Sequence, residues 1–183
     1  MPGAPAGEDA RPGERIAVKV AGVAKESVVD GPGLRFVVFA QGCPHHCPGC
    51  QNPDTWDPAG GTEVAVAELL EQIKANPLLK GITLSGGEPF WQAAALARLA
   101  GAARERGLDV VTYTGYTWER LVELARTGPE IKQLIEASDY IVDGPYVEAQ
   151  RDLALPFRGS RNQRIIDVRA SLAAGKAVLA AWG

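Results

Sequence analysis

Four short runs rich in β-branched and aromatic residues alternate with stretches of helical periodicity, and this alternation limits the fold more than any other feature. The runs are LRFVVFAQ (Leu34–Gln41), GITLS (Gly81–Ser85), LDVVTYT (Leu108–Thr114) and DYIVD (Asp139–Asp143). Runs of this length and content read as buried strands. Between them, TEVAVAELLEQIKA carries Val66, Leu69, Leu70 and Ile73 at helical spacing behind Thr62 as N-cap. FWQAAALARLAGAARERG is helical up to Gly107, and in TWERLVELARTG followed by PEIKQLIEAS the residue Pro129 suits a first helical position. IAVKVAGV (Ile16–Val23) adds a leading strand and RIID (Arg164–Asp167) a late one, before a short helix and KAVLAAW (Lys176–Trp182). Strands alternating with helices argue for a parallel α/β sheet. A closed eight-unit barrel takes about 250 residues, whereas this chain has 183. The expected fold is α/β, a partial (open) β/α barrel of about six mainly parallel strands.

Composition narrows the function classes. Apolar residues make up 46% and charged residues 22%, ordinary for a globular protein. A net charge of -3 supports neither a nucleic-acid footprint nor a membrane-surface patch, and no apolar run reaches the roughly 20 residues of a membrane span. MPGAPAGEDARPGE has no apolar core like that of a signal peptide, so the expectation is a cytoplasmic protein with a disordered tail over residues 1–14 and a single domain over 15–183.

The four strand-like runs are each followed by an unusual loop. These are the cysteine loop QGCPHHCPGCQNPDTW, then Ser85-Gly-Gly-Glu-Pro89, then Tyr113-Thr114-Gly115, then Asp143-Gly144-Pro145-Tyr146. In a parallel sheet all four leave the carboxyl edge of the strands, where ligands of such folds bind. The cysteine loop holds every cysteine of the chain, Cys43, Cys47 and Cys50, spaced C-x3-C-x2-C. A disulfide framework wants an even count, and clustered cysteines without a secretion signal point to metal or redox chemistry. Three thiolates around a four-iron cluster leave one iron open to substrate. Zinc is the other reading, with His45 or His46 as a fourth ligand, although zinc motifs usually draw on two separated pairs. The adjacent histidines are otherwise plain loop residues.

C-x3-C-x2-C followed by Gly-Gly-Glu-Pro resembles the radical S-adenosylmethionine enzymes. The resemblance implies that Cys43, Cys47 and Cys50 bind a [4Fe-4S] cluster whose fourth iron chelates S-adenosylmethionine. Gly86, Gly87 and Glu88 would then contact the methionine amino group. Glycines permit close backbone approach and a carboxylate accepts from an ammonium. VVDGPGLRFVVFAQGCPHHCPGCQNPDTWD is similar to the activating enzymes of glycyl radical enzymes. SDYIVDGPYVEAQRDLALPFRGSRNQRIIDV resembles, more narrowly, those that serve anaerobic ribonucleoside-triphosphate reductase. The likeness runs from about Ala24 to the C-terminus and implies one radical S-adenosylmethionine domain.

On this resemblance the 5′-deoxyadenosyl radical from reductive cleavage of S-adenosylmethionine takes hydrogen from a glycine of the reductase's large subunit. A flavodoxin-type protein is the expected reductant. The alternatives are activation of another glycyl radical enzyme, such as a formate-lyase type, or a small-molecule reaction in deazapurine synthesis. Gly49 stands where many relatives carry an aromatic residue near the adenine, so recognition of the base falls to backbone around Gly49, Cys50 and Gln51. Thr112–Gly115 lacks the acidic residue that related activases use for a cation. Thr114 and Asp143 are candidates for the ribose or carboxylate, Asp143 being equally a turn-former before Gly-Pro. Asp30-Gly31-Pro32-Gly33 with Arg35 is either part of the mouth where the partner's glycine enters or a plain turn feeding a strand. Leu153–Gln163 is either a partner contact or a cover for the sheet.

Overall fold

In the computed structural model, which describes residues 16–182, each of the four runs becomes a strand of one sheet. The expected tail over residues 1–14 lies outside the described residues. The strands are β1 (Ala17–Ser27), β2 (Arg35–Ala40), β3 (Thr62–Ala65), β4 (Gly81–Gly86), β5 (Asp109–Tyr113), β6 (Tyr140–Asp143) and β7 (Arg164–Asp167). Their spatial order is β3-β1-β2-β4-β5-β6-β7, an open sheet with β3 and β7 at its edges. β2, β4, β5 and β6 run parallel, while β1 is antiparallel to both β2 and β3, and β7 is antiparallel to β6.

The connections explain this mixture. β4 is reached through α1 (Val66–Lys74), β5 through α2 (Ala93–Arg104), and β6 through α3 (Trp118–Leu124) and α4 (Pro129–Ala137). A parallel neighbour needs such a crossover. A seven-residue connection (28–34) joins β1 to β2, and the link from β6 to β7 contains a short 3-10 helix but no crossover α-helix, so these pairs are antiparallel. α5 (Val168–Ala174) follows β7. The parallel α/β centre is as expected, with seven strands where about six were expected.

The added strand is β3. Thr62–Ala65 is no helix start: it pairs with β1, and α1 begins at Val66 without a side-chain cap. Thr62 and Val64 favour a pleated ladder, and the free edge of β1 supplies the partner. It is Thr117 that caps a helix with its side chain, accepting from Arg120 N at the start of α3.

Strand alternation divides the core. Phe36, Val38, Ile82, Leu84, Val110 and Ile141 turn toward the helices and pack with Leu69, Leu96, Leu99 and Leu134, all essentially inaccessible. Each such side chain contributes about 1.5–3 kcal/mol on burial. α2 sits close because Ala93, Ala97, Ala100 and Ala103 line its buried side. The opposite parity is different: Val111, Val142 and Ile165 form a small second cluster with Tyr113, Tyr140 and Trp182. Arg35 and Thr83 are buried polar residues of that parity. It is this second face, at its carboxyl end, that carries the cavity.

Candidate active site

The cysteine loop leaves β2 and folds back on itself. Gly42 N donates to Thr55 O at 2.7 Å and Cys43 N to Trp56 O at 3.2 Å. The amide of Gln41 clamps the return by donating to Asp54 O and Asp57 O at 3.0 and 2.7 Å. Cys50 N donates to Cys47 O, so the last two cysteines share a turn. Gly42 and Gly49 adopt φ of 94° and 71°, which other residues adopt only with strain. All three thiols are free and partly buried. Burial pushes Cys43 and Cys47 above the usual thiol value. Asn52 N points at Cys50 Sγ at 3.4 Å, the kind of amide–sulfur contact that tunes a bound cluster.

The Gly-Gly-Glu loop lies directly on this one. Gly87 N donates to Ala40 O and Glu88 N to Gly42 O, both at 2.8 Å. Gly86 has φ 91°, and a Cβ there would come 2.6 Å from Phe39 Cα; one on Gly87 would strike the Gly42 carbonyl. Side-chain-free backbone is thus required where the two loops meet.

Cys43, Cys47, Cys50, Gln51, Gly86, Gly87 and Thr114 line one cavity of about 510 Å³, within the ordinary range for a small-molecule site. Gly49, Glu88 and Asp143 are not among its lining residues. Gly49 packs at the carboxylate of Glu148.

Glu88 is wholly buried and accepts from Phe90 N at 3.0 Å, Thr114 Oγ1 at 3.0 Å and Gly115 N at 2.9 Å, with His45 Nε2 at 2.8 Å. One carboxylate therefore joins the cysteine loop, its own loop and the loop after β5. Asp143, also buried, accepts from Trp118 N at the start of α3 and from the fork of Arg164, which also holds Glu119.

Several further cavity residues come from segments that the sequence marked without assigning them to a pocket. Tyr113 lines it and donates to Phe157 O at 2.8 Å, tying β5 to the segment after β6. Burial raises its pKa strongly, so it remains a neutral phenol. Leu155, Phe157, Arg158 and Gln163 form a side wall, and Val29 and Asp30 a lip. Arg158 Nε is buried without a hydrogen-bond partner among the described residues. Leu153–Gln163 thus contributes cavity wall. Tyr113 follows from strand parity once Phe39 and Ser85 are placed on the same face; the others require the tertiary fold.

The donors fit an iron–sulfur cluster better than one zinc ion. His45 Nε2 is engaged by Glu88, and His46 stacks flat on Trp56 with ring centres 4.9 Å apart. Among the described residues no three His, Cys, Asp or Glu side chains are close enough to hold a single ion. A cluster spreads its thiolate ligands over several irons, and all-sulfur donors suit it.

Comparison with known proteins agrees. A family described as a 4Fe-4S single cluster domain matches residues 29–166. The anaerobic ribonucleoside-triphosphate reductase-activating protein of Vibrio cholerae is 34% identical over 146 residues, covering 75% of this chain and 90% of that protein. Its counterpart in Escherichia coli is 33% identical over 150 residues, covering 78% and 94%. The pyruvate formate-lyase-activating enzyme of Clostridium pasteurianum is 39% identical over 105 residues, covering 54% of this chain but 44% of that enzyme. A match that spans nearly the whole of one group of relatives and less than half of another separates the two. The chain belongs to the 4Fe-4S single cluster domain family and, within it, to the anaerobic ribonucleoside-triphosphate reductase-activating proteins.

Proposed function

We propose that this protein activates anaerobic ribonucleoside-triphosphate reductase by placing a glycyl radical on its large subunit. The observation that carries the reading is that three thiols and two bare glycines converge on one cavity at the carboxyl edge of the parallel strands. When bound, a [4Fe-4S] cluster with S-adenosylmethionine supplies the electron and the radical chemistry, as cofactors do for reactions beyond side chains. The rest is the work of this chain. Cys43, Cys47 and Cys50 hold the cluster as thiolates and, being three, leave one iron for the cofactor. Backbone at Gly86 and Gly87 takes the methionine end, with backbone at Cys50 and Gln51 and Thr114 toward the adenosine. Glu88 orders these loops through its four donors, and Asp143 fixes the end of β6 from behind. Tyr113, Leu155 and Phe157 form an apolar wall that excludes water.

The near-complete span of the ribonucleotide reductase activators, at 90–94% against 44–46% for the formate-lyase activators, favours the first as the substrate system. The family resemblance extends the proposal to a flavodoxin-type reductant and a cytoplasmic setting. No helix of the described residues is long and apolar enough to cross a membrane.

The test is anaerobic reconstitution with iron and sulfide, followed by reductant, S-adenosylmethionine and the reductase. The expected results are a brown protein, 5′-deoxyadenosine, and a glycyl radical in the paramagnetic resonance spectrum of the reductase. A colourless zinc protein, or 5′-deoxyadenosine with a radical only on a formate-lyase type enzyme, overturns the proposal.

A further inference from the structure

The segment after β6 brings an aromatic ring to the cavity and holds it from several sides. Tyr146 lines the cavity and is half-buried. Asn162 Nδ2 donates to Pro145 O at 2.7 Å, and Val147 N donates to Ser160 Oγ at 3.2 Å, so the backbone is fixed on both sides of Tyr146. The ring rests on bare backbone: a Cβ on Gly159 would come 3.0 Å from Tyr146 Cδ2. Gly159 is itself held. Its N–H and that of Ser160 donate to Gln163 Oε1 at 2.9 and 3.1 Å, while Gln163 Nε2 donates to Gly144 O at 3.2 Å. Three polar side chains, Ser160, Asn162 and Gln163, thus serve the placing of one ring.

That ring stands beside the cysteine loop. Burial raises the Cys47 thiol above its usual value, and the backbone amide of Tyr146 is the first group to offset the rise. Two residues further on, the carboxylate of Glu148 packs where Gly49 carries no side chain. Other rings of the cavity are committed elsewhere. His45 meets Tyr116 edge to face, Phe157 meets Trp182 in the same way, and Tyr113 is tied through its hydroxyl to Phe157 O. Phe39 belongs to β2, in the floor. Tyr146 pairs with no other aromatic ring among the described residues. A nucleobase has a flat π-face, and stacking it on an aromatic side chain is worth about 1–3 kcal/mol.

We infer that Tyr146 is the platform on which the adenine of S-adenosylmethionine stacks. This rests on the use of that cofactor proposed above. The ring has the position, on the wall of the cavity that the three cysteines line. It also has the rigidity, because its flanking backbone and its underside are both held, and a contact already in place loses little ordering entropy when a ligand arrives. Stacking uses only the ring face, so it adds to the backbone contacts at Cys50 and Gln51 without competing with them.

The test uses the cluster-loaded full chain, anaerobic and without reductant, as wild type, Tyr146→Ala and Tyr146→Phe. Equilibrium dialysis gives the Kd for S-adenosylmethionine and for S-methylmethionine, a sulfonium with the same methionine end and no adenosine. Tyr146→Ala should raise the Kd for S-adenosylmethionine by about tenfold to a hundredfold, the loss of one base stack, and leave that for S-methylmethionine within about twofold. Its iron content should match wild type. Tyr146→Phe keeps the ring and should bind S-adenosylmethionine within about threefold of wild type. An unchanged Kd for S-adenosylmethionine in Tyr146→Ala overturns the inference. So does an equal loss of S-methylmethionine, which puts the effect on the methionine end, and so does a fall in iron, which makes Tyr146 a support of the cysteine loop. A loss in Tyr146→Phe as large as in Tyr146→Ala assigns the effect to the hydroxyl and overturns the stacking. Loaded wild-type chain that binds no S-adenosylmethionine sinks the functional reading and the inference together. Wild-type chain that binds it but places no glycyl radical on the reductase sinks the function alone.

Discussion

Replacing Glu88 tests how the site is held together. Its carboxylate is inaccessible and takes donors from Phe90 N, Thr114 Oγ1, Gly115 N and His45 Nε2 at 2.8–3.0 Å. Glu88→Ala strands two backbone amides, and these cannot turn away as side chains can. Each unsatisfied buried donor costs about 1–3 kcal/mol. The hydroxyl of Thr114 is free to rotate and goes on accepting from Tyr116 N, and His45 is partly exposed, so these two add less. The expected loss is about 4 kcal/mol, a large part of the roughly 5–15 kcal/mol that holds a domain folded. Glu88→Gln keeps the shape but supplies one acceptor oxygen instead of two. Whichever way the amide faces, one amide N–H meets another donor, so about 1–3 kcal/mol is lost. The assay is anaerobic denaturant unfolding of metal-free protein, with no cofactor to mask the effect, followed by cluster content and S-adenosylmethionine affinity of reconstituted protein. Stability should fall in the order wild type, Gln, Ala, with cluster retention following. If metal-free Glu88→Ala is as stable as wild type, retains its cluster and loses only S-adenosylmethionine binding, the carboxylate acts on the ligand and the argument from its protein donors is wrong.

Cys43→Ala should abolish both the iron–sulfur absorbance and 5′-deoxyadenosine formation; turnover at the wild-type rate would remove Cys43 from the ligand set. Gly87→Ala should destabilise the fold by about 1–3 kcal/mol and loosen the cluster, because its Cβ has only the Gly42 and Ala40 carbonyls to move against. Gly101→Ala is the control within α2, with nothing near the new methyl; it should raise stability by about 1 kcal/mol, read as a higher melting temperature. Burial holds the Cys43 and Cys47 thiols above their ordinary value of 9.0, whereas cluster ligation requires thiolates and releases protons. Cluster loading should therefore strengthen as pH rises through the alkaline range. For the metal-free protein the sign is opposite: the stability from keeping these thiols neutral is complete below the unfolded thiol value and is lost as pH climbs through the raised folded values. Parallel pH profiles for loading and for metal-free stability would contradict this.

What the sequence made legible is what depends on neighbours along the chain. Short runs rich in β-branched and aromatic residues marked β2, β4, β5 and β6, and their shared direction brought the four odd loops to one edge before any contact was known. The cysteines were legible for the same reason, since one loop holds them all. Thr62–Ala65 was ambiguous because a threonine before an apolar pattern serves equally as a helix cap and as an edge-strand residue; the unpaired side of β1 decided it. The two polar hubs escaped for a stronger reason. Glu88 meets its partners across 43 residues at His45 and 26 at Thr114, and Arg35 reaches across 74 to the Asp109 carbonyl. No local pattern encodes such pairings. A charged residue at the start of a strand, or a carboxylate after two glycines, reads by itself as exposed or as facing a ligand. Burying either is tolerable only when every donor or acceptor finds a partner. Both hubs meet that condition by drawing on backbone groups as well as side chains. The backbone contacts are also what give them control over loop shape. The sequence therefore names the residues that touch the cofactor more readily than those that keep the loops in place, and variants of the second kind are the ones that will separate fold from cofactor binding.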